Sequence, residues 1–503
     1  MVLVGPLLRM FHLMWQDSPA TGDQLVRGSF VLVVGRLVIK VIQFVRTIVI
    51  AHLLFPEDLG LFGLAALSLG FIDIFLQPGF YAALVHEKED IHKYLDTAWS
   101  GQIMRNMLIG TIVFFAAPFL GDFFGHPEIV SLTRVLALSV VLAGFENIGV
   151  VFFQKELRFN RKFLLDTSVV LCEVVSVIIA AFILRNVWAL VIGGIANRVA
   201  SVILSFVFHP YRPKFAPKMS AFRHLFRYGK WVSLGAVVNY FVGQGDNFSV
   251  GKLSGPKELG YYQPAFALAL LPVAEFGRVL GNALFPLFAK LDIDKRDGAF
   301  IRVARLIFAF TIPGSLGIFV LAPDIVRLLY GERWLPMAPL VSVLALYALV
   351  RSFDVVGAPF FNGIGRPKIS TFALFAQCGT MAVFLVPLIL QLGTVGAAWA
   401  MLASGIASSL VYIGTMIHDK LLRVRELLFL VAVPLVAGVG MTYAIKGFER
   451  LHSITNIFEL FLFVALGGSV YFLFLWYLDR LCGGETFEQI KWVRVRVFPR
   501  PNK

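Results

Sequence analysis

Charged residues are scarce in this chain of 503 residues, at 15% of the sequence, where an average soluble domain has about 25%. Hydrophobic residues make up 58% instead, 49 residues are phenylalanine, and the mean hydropathy is +0.79. A soluble chain of this length would form roughly three domains. This sequence has too few charged residues to cover the surfaces of three such domains. The composition therefore excludes soluble enzymes and nucleic-acid-binding proteins and indicates an integral membrane protein.

Cysteine and the common ligand-binding motifs are also sparse. The three cysteines, Cys172, Cys378 and Cys482, are too few and too far apart for a disulfide framework or a zinc knuckle. The nine histidines form no His-x-x-x-His pair, and the chain has no glycine-rich loop with Lys for binding ATP. Asp292-Ile293-Asp294 matches the metal-binding motif of sugar-nucleotide transferases, but so short a match carries little weight. We therefore expect no metal, no cofactor and no direct use of ATP.

Long apolar runs are abundant. A helix of about 20 apolar residues crosses the ~30 Å hydrocarbon core of a membrane, and fourteen such stretches occur. The sequence thus predicts an all-α membrane protein with fourteen transmembrane helices. We number these stretches spans 1 to 14: 28–54, 59–85, 97–120, 129–153, 164–184, 187–208, 231–253, 259–289, 300–321, 336–361, 369–390, 395–417, 427–445 and 457–477.

The basic residues indicate the orientation of these spans. Thirty Lys and Arg residues lie in one alternating set of connections and termini, and six lie in the other set. Because Lys and Arg in short loops stay on the cytoplasmic side, both termini are expected in the cytoplasm. This asymmetry also accounts for the net charge of +14 without a nucleic-acid partner.

Three short motifs recur in the same order in the two halves, at offsets of 200 to 211 residues. Spans 1–6 therefore repeat as spans 7–12, and six is even, so the two repeats are expected to be parallel. Such repeats are typical of alternating-access transporters, whose substrate site lies between the halves. The matches are Pro56-Glu57-Asp58-Leu59-Gly60-Leu61-Phe62 with Pro256-Lys257-Glu258-Leu259-Gly260-Tyr261-Tyr262, Trp188-Ala189 and Gly194-Ile195-Ala196 with Trp399-Ala400 and Gly405-Ile406-Ala407, and Phe152-Phe153-Gln154 and Arg158 with Phe360-Phe361-Asn362 and Arg366.

These observations predict the domain organisation. Spans 13 and 14 have no counterpart in the repeats and are expected at the periphery, and no connection is long enough to form a soluble domain. The predicted segments are a cytoplasmic N-terminal lead-in at 1–27, an N-lobe at 28–208, a basic cytoplasmic linker at 209–230, a C-lobe at 231–417, spans 13 and 14 at 418–478, and a basic cytoplasmic tail at 479–503.

Ionisable residues within the spans are the candidate functional residues, because each costs at least about 2–3 kcal/mol near the membrane centre. Arg36, Lys40, Gln43 and Thr47 share one face of span 1, and a span that begins near Gly28 places Lys40 roughly 18 Å deep. Buried cations without a local partner attract phosphate groups strongly. We therefore predict a basic, substrate-binding cavity formed by Arg36, Lys40, Arg46, Arg105, Arg198 and Arg278.

Acidic residues within the spans are candidates for coupling or gating by protons or sodium ions. Arg46 and Asp246 occupy duplicated positions, so we expect them to pair as a gate. The structural alternatives are helix-to-helix polar contacts and local pairs three residues apart, such as Glu275 with Arg278 and Arg351 with Asp354. The coupling or gating candidates are Asp73, Glu146, Asp246 and Asp354.

The segment from Leu25 through Arg36 and Gln43 to Phe62 resembles the first two helices of Wzx-type polysaccharide-lipid flippases, and Leu259-Gly260-Tyr261-Tyr262 with Leu284-Phe285-Pro286 resembles their helix 8. These flippases belong to the multidrug/oligosaccharidyl-lipid/polysaccharide (MOP) exporter superfamily. The resemblance implies a fold like that of the MATE transporters. One departure is His52, where many relatives have Arg.

The resemblance also implies a function. It is the translocation of an undecaprenyl-pyrophosphate-linked oligosaccharide across the bacterial inner membrane, for exopolysaccharide, capsule or the O-antigen of lipopolysaccharide. Membrane lipid and a polysaccharide polymerase are the further partners expected. A multidrug exporter is the first alternative, but an organic cation would favour an acidic cavity. A membrane glycosyltransferase or ligase is the second, although it would be expected to have a large catalytic loop outside the membrane.

Overall fold

The computed structural model describes residues 22–75, 84, 91–156, 158–218, 237, 240–274, 284, 288–289, 293–419, 421 and 423–481, and the side chains of all of these except 22–34, 36, 37, 293–295 and 297. Across these ranges the ordered elements are helices, and no strand occurs. The chain divides into two compact units, Met1–Gly260 and Tyr261–Lys503. Each unit is described separately below.

In unit 1 the helices pack mainly as neighbours in sequence, α3 with α4 and α6 with α7, while α1 packs on α6 and α2 packs on α4. Ile50, Val177 and Leu190 bring α1, α6 and α7 together in one buried cluster. The helices are α1 (Gly22–Leu53), α2 (Pro56–Phe75), α3 (His92–Phe124), α4 (Glu128–Ala143), α5 (Val151–Lys155), α6 (Phe159–Leu184), α7 (Trp188–Phe208), α8 (240–254) and the first residues of α9 (Pro256–Ala269).

In unit 2 the helix α10 packs on α11 and on α14, and α13 packs on both α11 and α12. The predicted peripheral spans 13 and 14 are α14 and α15, which pack on each other and on α10. Arg327 near the end of α10 donates to the carbonyl of Ile454 at 2.6 Å, which ties α10 to the α14–α15 connection. The helices are α10 (Ile293–Leu329), α11 (Ala338–Gly363), α12 (Pro367–Leu392), α13 (Thr394–His418), α14 (Val424–Leu451) and α15 (Ile457–Leu481).

A helix occurs within each of the fourteen predicted stretches, as far as these are described. Ten of the described helices are long and apolar enough to cross a membrane, or eleven if a bent pair counts as one span. The chain is therefore a multi-pass, all-helical membrane protein. The number of fourteen spans remains a prediction.

Span 4 is broken rather than continuous. Its two parts, α4 and the segment that contains α5, meet at an angle of 69°. At the bend the side chain of Asn147 accepts from the amide of Gly149 at 2.9 Å and donates to the carbonyl of Tyr211 at 2.7 Å. The first bond satisfies a backbone amide that a continuous helix would have paired internally, and the second ties the bend to the segment after α7.

Span 8 is also interrupted. The helix α9 ends at Ala269, a turn follows at Leu270, and helical residues resume at 271–274. Pro272 lacks an N–H, so it cannot donate to the carbonyl four residues earlier. The interruption therefore lies next to Pro272, which is the second proline of this span after Pro264.

The repeated motifs occupy equivalent places in the structure. Pro56 and Pro256 are the first residues of α2 and α9. Arg158 and Arg366 are the residues immediately before α6 and α12. The duplicated residues therefore begin equivalent helices, as a duplication predicts.

Candidate functional site

On α1, the predicted site residues lie in a helix of 32 residues. Such a helix is about 48 Å long, more than the ~30 Å core, so the depth of Lys40 remains a prediction. The Lys40 side chain is exposed and no acidic partner lies beside it among the described residues. The side chain of Arg36 lies outside the described residues.

Arg46 on α1 forms an ion pair with Glu173 on α6. The second carboxylate oxygen of Glu173 accepts from the side-chain amide of Asn197 on α7 at 2.8 Å. The Nε atom of Arg46 is buried without a hydrogen-bond partner. A cation, an anion and an amide thus connect three helices of unit 1. We call this the Arg46 network.

The predicted pairing of Arg46 with Asp246 is wrong, because the carboxylate beside the guanidinium is that of Glu173. Asp246 is 1% exposed on α8. Its Oδ1 atom accepts from the backbone amide of Asn247 at 2.8 Å and from the amide side chain at 3.3 Å. Equivalent positions in the two repeats thus carry opposite charges but do not neutralise each other.

Arg105 on α3 forms an ion pair with Asp73 on α2. The same guanidinium donates to the Asp73 carbonyl at 3.1 Å and to the side chain of the adjacent Asn106 at 2.9 Å. A predicted substrate-binding cation and a predicted coupling acid are therefore partners in one ion pair. The Asp73 side chain keeps 43% exposure, so this pair is accessible from one side.

Glu146 lies at the bend of span 4, where Ser201 of α7 forms a hydrogen bond with its side chain. Arg198, one turn earlier on α7, is exposed and acts on Glu146 through its charge, as Lys162 does. Lys162 itself donates to Asp166 at 2.6 Å. Arg198 is thus a predicted cation that faces a carboxylate without a direct ion pair in the described region.

In unit 2 the polar groups centre on α11 and α13. The Ser408 hydroxyl lies 2.9 and 2.8 Å from the two carboxylate oxygens of Asp354. Arg351, one turn before Asp354, donates to the hydroxyl of Tyr347 at 2.5 Å, and Gln377 of α12 donates to the same hydroxyl at 3.3 Å. Glu275 and Arg278, the other predicted local pair, lie outside the described residues.

The sequence predicted the charged site residues but not the side chains that contact them. It did not identify the roles of Glu173, Asn197, Ser201 and Ser408, which hold the predicted residues. Glu173 and Asn197 are polar residues in apolar spans, which is the signal that could have found them. A serine such as Ser408 carries no comparable signal, because a hydroxyl is tolerated widely in membrane helices.

The arrangement suits the recognition of an anion better than metal-dependent chemistry. Arg46 and Arg105 are already paired, whereas Lys40 and Arg198 present their charges on exposed side chains. The described part of the chain contains no group of three or more His, Cys, Asp or Glu residues that could hold a metal ion. The exposed cations are therefore the groups available to a ligand.

Known proteins with similar sequences take part in polysaccharide biosynthesis. The model of the family described as "Polysaccharide biosynthesis protein" matches residues 49–339. The lipopolysaccharide biosynthesis protein WzxC of Escherichia coli (strain K12) is 23% identical over 341 residues, which are 67% of this chain and 69% of that protein. The resemblance to Wzx-type proteins of polysaccharide biosynthesis is thereby confirmed.

Two solved structures share the fold. A lipid II flippase, MurJ, in an inward closed conformation has a TM-score of 0.72 and 15% identity, and the match covers 89% of this chain and 98% of MurJ. An inward-facing MATE family transporter of the MOP superfamily has a TM-score of 0.59 and 16% identity over 77% of this chain and 98% of that transporter. The MATE-like fold expected from the sequence is confirmed.

Proposed function

The chain belongs to the polysaccharide biosynthesis protein family, and from this premise we propose that it is a transporter, not an enzyme, that flips a lipid-linked oligosaccharide between membrane leaflets. The proposed substrate is an undecaprenyl-pyrophosphate-linked glycan. The proposed location is the bacterial inner membrane, with both termini in the cytoplasm. The glycan then serves exopolysaccharide, capsule or O-antigen assembly, with a polysaccharide polymerase as a candidate partner.

The observation that carries this proposal is the exposed side chain of Lys40 on the apolar helix α1. An uncompensated ammonium group in a membrane helix requires water or an anion beside it, and a pyrophosphate is such an anion. Arg198 offers a second exposed cation in unit 1. An organic cation, which a multidrug exporter would carry, is repelled by the same charges.

We propose alternating access for the transport step, with the two predicted repeats opening to each side of the membrane in turn. Lys40 and Arg198 bind the pyrophosphate in this mechanism, and Arg36 and Arg278 are the further predicted ligands. The Arg46 network stabilises unit 1. The candidates for coupling to protons or sodium ions are Asp73, Glu146, Asp246 and Asp354.

Deleting the gene in the source organism tests this proposal. Mass spectrometry of polyprenyl-linked glycans should then show complete repeat units accumulating, while staining shows the surface polymer disappearing. Truncated units would point to an assembly enzyme, such as a glycosyltransferase or ligase. Unchanged glycans would overturn the proposal and favour the multidrug exporter.

Complementation with variants tests the role of Lys40. Lys40→Arg should restore the surface polymer because the charge is kept, whereas Lys40→Glu should not, because a carboxylate repels the pyrophosphate. Arg134→Glu is the matched control, because it makes the same change in charge. Arg134 is also an exposed cation within a span, but its guanidinium lies over the ring of Phe114, 5.1 Å from the centroid. Full activity of Lys40→Glu at normal protein abundance would rule out binding by Lys40.

A further inference from the structure

Residues 209–218, which follow α7 and which we call the strap, form an extended segment fixed to the start of α3. The backbone amide of Lys214 donates to Asp96 Oδ1 at 2.8 Å. Two residues on, the amide of Ala216 donates to the Ser100 hydroxyl at 2.9 Å. The backbone amides of an extended chain normally form hydrogen bonds with water or with a neighbouring strand. Here the side chains of a helix replace that neighbour.

Further contacts hold the first residues of the strap. The Tyr211 hydroxyl donates to Asp96 Oδ1 at 2.6 Å, and the Tyr211 carbonyl accepts from Asn147 at 2.7 Å. The imidazole of His209 stacks on Phe152, with the ring planes 5° apart and the centroids 5.6 Å apart. The strap is therefore a fixed part of unit 1, and its outward side chains have defined positions at the ends of membrane helices.

The outward side chains of the strap are basic, and the part of the chain that the structure describes contains no acidic partner for them. Arg212, Lys214 and Lys218 are exposed. The Arg212 guanidinium donates to the neutral carbonyls of His209 and Tyr211, at 2.8 and 3.0 Å. The ammonium groups of Lys214 and Lys218 have no acidic partner in the region described.

The surrounding basic residues converge on the same place. Burial lowers the pKa of His209, Glu156 raises it, and the charges of Arg158, Arg161 and Arg212 lower it further. These three arginines thus lie close enough to the same imidazole for their charges to act on it. Arg158 directly precedes α6 and Arg161 lies in its first turn, so the start of α6 adds its cations to those of the strap.

The nearby carboxylates that the structure describes already have partners. Glu156 forms an ion pair with Arg158 at 2.8 Å, and Asp166 forms one with Lys162 at 2.6 Å. Asp96 accepts the two strap bonds given above. Among the described residues, no acidic side chain therefore balances the positive charge of Arg161, Arg212, Lys214 and Lys218.

An aromatic side chain lies within this basic surface. Phe215, next to Lys214 in the strap, is 60% exposed. An exposed phenylalanine among basic residues suits the membrane interface, where the ring enters the boundary between head groups and acyl chains and the cations contact phosphates. A soluble acidic protein would match the charges but would give no reason for the exposed ring.

We propose that the strap and the start of α6 form a binding surface for anionic phospholipid head groups. Arg161, Arg212, Lys214 and Lys218 bind the phosphates, and Phe215 enters the adjoining acyl region. The bound lipid then fixes unit 1 at the membrane surface. This surface differs from the transport site on α1, and it requires only that the chain lies in a membrane, whatever substrate it carries.

Native mass spectrometry of the full chain in mixed micelles tests this proposal, with equal amounts of phosphatidylglycerol and phosphatidylcholine as probes. The wild type should retain phosphatidylglycerol preferentially. The variant R212Q/K214Q/K218Q should lose about fivefold or more of this preference, since each basic residue near an anionic surface contributes about a fivefold affinity. Addition of salt should weaken the wild-type preference through screening and should affect the variant little.

The matched control is K368Q/R423Q/R425Q, which removes three exposed cations from unit 2. This variant loses the same net charge as the strap variant but leaves the strap unchanged. It should therefore keep the preference for phosphatidylglycerol within about twofold of the wild type. Equal losses in both triple variants would overturn the proposal, because they would show a general effect of charge. Equal retention of the two lipids by the folded wild type would overturn it as well.

Discussion

Gly60 and Gly260, which lie at the same position of the duplicated motif, meet each other in a reciprocal contact. A Cβ atom placed on Gly60 would lie 1.6 Å from the carbonyl oxygen of Pro256, and one placed on Gly260 would lie 1.7 Å from the carbonyl oxygen of Pro56. Each helix start thus packs its glycine against the first residue of the other. Only glycine permits such an approach.

Alanine at Gly60 should disrupt this contact. The added methyl group meets backbone atoms, which cannot move aside as a side chain can, so the two helix starts must separate. We expect Gly60→Ala and Gly260→Ala each to lower the free energy of unfolding by about 1–3 kcal/mol, measured as a lower melting temperature in detergent. Gly379→Ala in α12 is the control, because a Cβ there meets nothing within 4 Å, and it should melt like the wild type.

The Arg46 network should behave as a structural ion pair. Arg46→Gln or Glu173→Gln leaves one partially buried charge without its partner, whereas the double variant leaves none. Thermal unfolding of the wild type, the two single variants and the double variant should therefore give a coupling free energy of about 1–3 kcal/mol. Additive losses would contradict the pairing. Recovery of stability in the double variant without recovery of transport would assign Arg46 a second role in substrate binding.

Asp354 should couple transport to the proton gradient. The Ser408 hydroxyl has a single proton and lies near both carboxylate oxygens, so one oxygen is left to accept a proton. We expect Asp354→Asn to make the flipping rate in proteoliposomes independent of an imposed pH gradient. Asp419→Asn, which alters a carboxylate paired with Arg366, should retain the dependence. An unchanged response in Asp354→Asn would exclude this residue from coupling.

Stability should fall as the pH drops below about 6.5, the ordinary histidine value, because burial lowers the pKa of His209. A histidine with a lowered folded-state pKa binds protons preferentially when unfolded, so its stabilising effect is complete above about 6.5 and is lost toward the folded pKa. Melting temperatures between about pH 5 and 8 should show a smaller slope for His209→Gln than for the wild type. The control His52→Gln, which changes an exposed residue of α1, should keep the wild-type slope.

The sequence predicted the helices well because membrane spans are encoded by long apolar runs, whose detection needs no tertiary information. Their ends were less predictable. The helix α10 begins at Ile293 and ends at Leu329, whereas the apolar run covers only 300–321, because helices continue beyond the hydrocarbon core. The bend of span 4 was not predicted, since Asn147 stabilises it through contacts with residues distant in sequence.

For the candidate site, the sequence identified the charges but not their partners. Duplicated positions suggested that Arg46 pairs with Asp246, yet Arg46 contacts Glu173, a residue 127 positions away. Repeat symmetry relates positions, but it does not specify which side chains meet within one repeat. The pair of Asp73 with Arg105 was unforeseen for the same reason, although both residues had been chosen for their charge.

The contact between Gly60 and Gly260 also bears on the origin of the chain. Each copy of the motif presents its glycine to the other copy in the same way, which is the geometry of an isologous dimer interface. A single repeat could form this contact only with a second molecule of itself. Fusion of two such genes would retain the interface and free each copy to diverge elsewhere, as the opposite charges at Arg46 and Asp246 illustrate.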